Sequence, residues 1–193
     1  MPQNMPIRFA QQLKAVREVI RSLTILLLTF STLSIADEPL SPGKIPPARS
    51  TEVACFSPDE DCARRLAKFL ESATKSIDVA IYDLNEDQIV HQLLVKSKVI
   101  AVRVLVDRRQ SKRSHSAVPL LMKAGVKVRF GHQRGIMHNK FAIVDGARIE
   151  TGSFNYTHHA TSANQENQLY LYSPDIIQRY KVQFEKVWRD SVD

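Results

Sequence analysis

The chain has 193 residues, 44% hydrophobic and 24% charged, with 6 Gly and 9 Pro. That composition excludes a disordered, collagen-like or low-complexity chain, and at about one domain per 150 residues it leaves no room for two catalytic domains. Lys and Arg number 27 against 20 Asp and Glu, a formal net charge of +7, which points to polyanions such as nucleic acid or anionic lipid head groups without choosing between them.

In chain order, Arg8, Lys14, Arg17 and Arg21 precede an uncharged run, SLTILLLTFSTLSIA, from Ser22 to Ala36. Ser34 and Ala36 are the small residues that signal peptidase requires, so residues 1–36 read as a secretory signal cut near Ala36, with the product secreted or periplasmic. The apolar run is shorter than the roughly 20 residues that span a bilayer. A retained membrane anchor is the competing reading. Cleavage would leave 23 basic against 19 acidic residues. Residues 37–50 carry Pro39, Pro42, Pro46 and Pro47 without any period and read as a linker, so the folded domain is 51–193.

The two cysteines, Cys55 and Cys62, flank a turn-forming Pro58-Asp59. In an oxidising compartment they are expected to form a disulfide, worth about 2–3 kcal/mol in the chain-entropy model. A metal pair would need further ligands at a matching spacing, and none is evident. No metal or other cofactor is expected.

Strand and helix patterns then alternate. Thr51–Phe56 reads as a strand, and Ala63–Thr74 as a helix with Leu66, Phe69, Leu70 and Ala73 on one face. Ile77–Tyr82 (IDVAIY) is a buried strand. Asn85 is placed to cap a helix reaching Lys96; Val99–Val106 is a strand, Ser116–Ala124 a helix ended by Gly125, and Val126–Phe130 a third strand. Lys140–Val144 and Arg148–Thr151 flank Asp145-Gly146, a hairpin-type turn. Glu166–Tyr172 is a further strand, and Pro174 opens a closing helix. The alternation predicts an α/β fold, an α/β/α sandwich around a mixed, largely parallel sheet.

The stretch from Met137 to Asn167 carries the chemistry. His138, Lys140 and Asp145 are spaced His-x-Lys-x4-Asp, followed by Gly152, Ser153 and Asn155, then Glu166-Asn167. This pattern resembles the HKD signature of the phospholipase D superfamily. The resemblance runs from about Val53 to Trp188 and is greatest to the small secreted bacterial endonucleases with one motif per chain. It implies a phospholipase D-like fold, and it implies that Glu166 holds the His138 imidazole through its second nitrogen. It also implies that two chains pair about a two-fold axis to bring two copies of His138 to one phosphate.

The same residues suit phosphodiester cleavage on physical grounds. His138 and Lys140 are two apart, which on a strand puts both on one face. Neutral imidazole is an adequate nucleophile near pH 7. Lys140 offers a point charge and the Asn155 amide a hydrogen bond to the phosphoryl oxygens. Asp145 enters the catalytic set by the motif, although an Asp closing a strand at a turn also serves to anchor backbone. Gly152 and Ser153 are read as contacts near the phosphate; Ser153 lacks the Gly-x-Ser-x-Gly elbow of a nucleophile.

Arg108, Arg109, Lys112 and Arg113 form the densest basic run after residue 36. They read either as a solvated loop or as a clamp on a phosphate backbone. His91, His115, His132, His158 and His159 lack a second Lys-x4-Asp context. The expected function is a metal-independent endonuclease on DNA or RNA, acting as a homodimer. Hydrolysis of membrane phospholipid and a secreted, non-catalytic nucleic-acid-binding protein are the alternatives.

Overall fold

The computed structural model describes residues 52–131 and 135–192; the expected signal and linker, with Thr51 and His132, lie outside them. Seven strands form one sheet: β1 Val53–Ser57, β2 Ser76–Ile81, β3 Ala101–Asp107, β4 Lys127–Gly131, β5 Lys140–Val144, β6 Arg148–Gly152 and β7 Glu166–Leu171. Their order across the sheet is β1-β7-β6-β5-β2-β3-β4. The helices are α1 Cys62–Glu71, α2 Asp87–Lys96, α3 Val118–Lys123, α4 His158–Ser162 and α5 Pro174–Arg189.

Side-chain alternation sorts the core into two layers. Ile77, Val79, Ile81, Ala142 and Val144 pack under α1, α2, α3 and α4 with Leu66, Leu70, Leu93 and Leu121. Ala80, Leu105, Phe141 and Ile143 pack against Ile177 and Phe184 of α5. The α/β/α sandwich is thus present, and its sheet is mixed. The expectation of a largely parallel sheet needs correction: only β2 with β3 and β3 with β4 are parallel. The other four pairs are antiparallel. The reason is that β5 inserts beside β2 and is followed by a tight turn, so no helical crossover reverses the chain there.

Several ends shift for local reasons. Glu86 precedes α2 in place of Asn85, whose Oδ1 instead accepts the His158 N–H at 3.1 Å. Asp61 caps α1 by accepting the Arg64 N–H. The Cys55–Cys62 disulfide is formed, with a Cα–Cα distance of 5.8 Å, and ties β1 to the start of α1. On the far face Arg103 bonds Asp78 and Glu185 while lying over the Phe184 and Trp188 rings, which pins α5 to the sheet.

At the β5–β6 turn, Asp145 and Gly146 both take positive φ, 56° and 64°, and the Ala147 N–H closes onto the Val144 carbonyl at 3.1 Å. The Asp145 carboxylate accepts the N–H groups of Thr74, Lys75 and Ser76, the Thr74 hydroxyl and Arg148. Burial opposes its ionisation, but the Lys75, Thr74 and Ser76 N–H groups outweigh that and hold the carboxyl at about 2. It staples the α1–β2 connection to the β5–β6 turn.

Because this folded-state value lies below the unfolded one, the stabilisation is complete above about pH 4 and is lost as pH falls toward 2. Asp145→Ala is expected to lower unfolding free energy at pH 7 by about 2 kcal/mol or more. In urea melts its deficit relative to the unaltered protein should shrink as pH falls toward 2; a constant deficit would contradict the assignment.

Candidate active site

The topology gathers one end of the sheet. β2 and β3 run parallel, so Ile81 and Asp107 lie at the same end, and Lys140 opposite Ile81 starts antiparallel β5 there. Gly152 ends β6 at that edge, and Glu166 opens β7. Lys140, Ala142 and Val144 share one face, as do Glu166, Gln168 and Tyr170, and opposite pairing puts both sets on the α1–α4 side. Lys140, Glu166 and the loop bearing Ser153 and Asn155 therefore converge without any long-range loop excursion.

His138 lies in the extended segment before β5, exposed at the edge. Its ring meets Tyr82 edge-on at 4.6 Å. Lys140 is only 8% exposed; its Nζ donates to the His138 carbonyl at 3.2 Å and lies 5.2 Å from the Tyr82 ring centroid. Burial lowers the proton affinity of His138, Lys140 lowers it further, and Asp107 acts the other way. The imidazole is thus held below its ordinary value, which favours the neutral, nucleophilic form near pH 7. Burial also lowers the Lys140 ammonium, with Glu166 opposing.

Asn155 follows β6 in the Gly152–Tyr156 loop. Its Oδ1 is buried and makes no hydrogen bond to the described residues, a signature of a polar group kept for a ligand or water. The next residue fixes the loop: the Tyr156 hydroxyl donates to buried Glu150 at 2.6 Å, and the Tyr156 N–H donates to the Asp83 carbonyl at 3.1 Å. Burial lifts the Glu150 carboxyl to about 8, against the Tyr156 bond.

Ser153 is committed to positioning. Its hydroxyl donates to Glu166 and accepts from the Asn167 backbone and side-chain N–H groups. Glu166 also accepts from Asn164 at 2.9 Å. Among the described residues no hydrogen bond joins Glu166 to His138 of the same chain; within the chain Glu166 acts as a counter-charge to Lys140. Gly152 is required by close approach, since a Cβ there would sit 2.1 Å from the Asn167 carbonyl oxygen.

Asp145 does not reach the site. It stands at the opposite end of β5, about 16 Å away by strand rise, with its carboxylate engaged by the α1–β2 connection. The basic loop does reach the correct end of the sheet. Arg108, Arg109, Lys112 and Arg113 are exposed and follow β3 through a short 3-10 turn, Gln110–Lys112. His115 pairs with Asp83, and His158 with Glu86 and Asp87, while His91 and His159 are exposed on helices. Among the described residues no cluster of three or more His, Cys, Asp or Glu side chains could hold a metal ion. Tyr82 and Asp107 escaped sequence reasoning. The signal available was that each ends an apolar strand run on the side where such sheets place their ligands.

Residues 66–188 match the family described as "Cardiolipin synthase, PLD-like domain". The chain belongs to the phospholipase D superfamily. Within this superfamily, a mitochondrial cardiolipin hydrolase of Xenopus laevis is 32% identical over 186 residues, 95% of this chain and 81% of that one. One from Chlamydomonas reinhardtii is 35% identical over 125 residues, 64% of this chain; the match spans 56% of the relative's length. A phospholipase D of Rickettsia conorii is 31% identical over 134 residues, 69% and 67% of the two chains. The solved structure of Nuc, a phospholipase D family member from Salmonella typhimurium, gives a TM-score of 0.70 at 24% identity and covers 75% of this chain and 97% of that one. NucT from Helicobacter pylori gives 0.68 at 25% identity, covering 74% and 98%.

In phospholipase D terms, the motif's His and Lys lie at one end of the sheet, beside Tyr82 and Asn155, and its Asp lies at the other, bonded to the α1–β2 connection. Ser153→Ala is expected to lower kcat/KM about 10-fold by loosening Glu166 and Asn167. Gly152→Ala should lower it at least as far by displacing the β7 backbone. Complete loss in Ser153→Ala, measured beside an intact far-ultraviolet spectrum, would instead mark Ser153 as a reacting group.

Proposed function

We propose that this protein is a phosphodiesterase that hydrolyses nucleic acid through a phosphohistidine at His138, without a metal cofactor. The observation that carries the reading is the joint placement of His138, buried Lys140, Asn155 and the exposed basic loop at one end of the sheet. A neutral imidazole nitrogen attacks phosphorus; a P–N bond forms as the P–O bond to the leaving group breaks. Lys140 and Asn155 stabilise charge on the phosphoryl oxygens. The leaving oxygen takes a proton from a second imidazolium. Water then attacks the phosphohistidine, giving its proton to that second imidazole as the P–N bond breaks.

The second imidazole is proposed to be His138 of another copy of this chain, because one motif supplies one nucleophile and the displacement needs an acid on the far side of phosphorus. Four exposed basic side chains beside the site favour a polyanionic backbone as substrate. A second reading, hydrolysis of an anionic phospholipid, draws support from the names of the cardiolipin hydrolase and phospholipase D relatives. Export belongs to the proposal as well: residues 1–36 would act as the signal, and the Cys55–Cys62 disulfide suits an oxidising compartment.

Purified protein is to be incubated in excess chelator with plasmid DNA, single-stranded RNA and cardiolipin vesicles. Cleavage of a nucleic acid that His138→Ala abolishes, and that Lys140→Ala or Asn155→Ala lowers about 100-fold, is expected. Activity lost to chelator and restored by a divalent ion would refute the mechanism, and activity on cardiolipin alone would transfer it to the second reading. Refolding equal amounts of unaltered and His138→Ala chains together should leave about a quarter of the activity, whereas independent monomeric sites would leave about half.

A further inference from the structure

We propose that Asp107 is a positioning residue which, from one buried carboxylate, seats both His138 and the basic loop. The inference rests on the site assignment above and names a control element within it. Asp107 ends β3 and is 2% exposed. Among the described residues it has no cationic partner, so its burial depends on hydrogen bonds. It receives three, each at 2.9 Å: Oδ1 accepts the N–H groups of Arg109 and Gln110, and Oδ2 accepts the N–H of Met137.

Those donors belong to two different parts of the site. Arg109 and Gln110 open the basic loop, and Met137 directly precedes His138. The Met137 side chain is fixed independently: it is 3% exposed, packs in the cluster with Ala80, Leu105 and Phe141, and lies over Gly131. Gly131 is Asp107's own partner across β3 and β4, and a Cβ there would fall 2.6 Å from Met137 Cγ. Main chain and side chain of Met137 are therefore both held against the end of β3, so His138 and the loop share one foundation.

The groups facing His138 are Lys140 on β5, the Tyr82 ring after β2, and Asp107 on β3; Glu166 on β7 faces Lys140. Asp107 is the member of this set whose charge favours the imidazolium. Besides placing His138, it opposes in part the depression that burial and Lys140 impose.

Two variants of the full chain separate charge from position. Asp107→Asn keeps the shape, removes the charge and replaces one acceptor by a donor. The His138 imidazole, followed by NMR, should titrate at lower pH than in the unaltered protein, and kcat/KM on a p-nitrophenyl phosphodiester should fall about 10-fold or more. Gly131→Ala adds no charge but displaces Met137; kcat should fall while the acid limb of the pH profile stays in place. An unshifted His138 titration in folded Asp107→Asn, or undiminished kcat in Gly131→Ala, overturns the inference. If Asp107→Asn does not fold, Gly131→Ala decides alone. A protein inactive on every phosphodiester refutes the proposed function, and the NMR titration still decides the role of Asp107.

Discussion

The antiparallel pairing of β5 with β2 is the constraint on which the rest of the structure depends. β2 and β3 deliver their C-terminal ends, with Tyr82, Asp107 and the basic loop, to one edge of the sheet. Because β5 runs against β2, it enters at that edge, and the segment carrying His138 arrives where those ends lie. The tight turn after β5 returns the chain as β6, which brings the Asn155 loop back to the same place, and β7 leaves from there with Glu166. A parallel β5 would have put Lys140 at the far end of the sheet, a strand length from the basic loop. One register thus assembles groups from five strands with short connections.

Lys140 shows how such an edge tolerates a buried cation. An ammonium at this depth needs compensation, which comes from the His138 carbonyl, the face of Tyr82 and the nearby Glu166 carboxylate. None of these is a close salt bridge, so the ammonium retains donors for a substrate. A phosphodiester carries the charge that suits such a site, and a neutral imidazole beside it avoids a second cation next to Lys140. The lowered proton affinities of His138 and of Lys140 share one cause, desolvation.

Much of this was legible in the chain. IDVAIY and VIAVRVLV announced β2 and β3, Asp145-Gly146 announced the turn, and the short Cys55–Cys62 interval announced the disulfide, because each is a local pattern. The balance of parallel and antiparallel pairs was not, since the insertion of β5 between β2 and β6 is a long-range choice that no local period records. α4, at five residues, is too short to show a helical period. Spacing singled out His138, Lys140, Asn155 and Glu166, which the fold gathers at one end of the sheet, together with Asp145, which it puts at the other, because a motif written in one line does not say which end of a strand each member occupies. Tyr82 and Asp107 were hidden as the last residues of apolar runs, where a sequence shows only that burial stops.

The interval between Lys140 and Asp145 is in effect a ruler. Its marks are Phe141, Ala142, Ile143 and Val144, the whole buried width of the sheet at its centre. Type matters little along a ruler, and any apolar side chains that fill the two core layers would preserve it. Number is another matter. Removing one residue would reverse the parity of the strand: with the turn anchored at Asp145, Lys140 would point toward α5 and away from Glu166. The count from Lys140 to Asp145 is therefore a measurement of strand length, with a buried ammonium at its zero and structural anchorage at its far end.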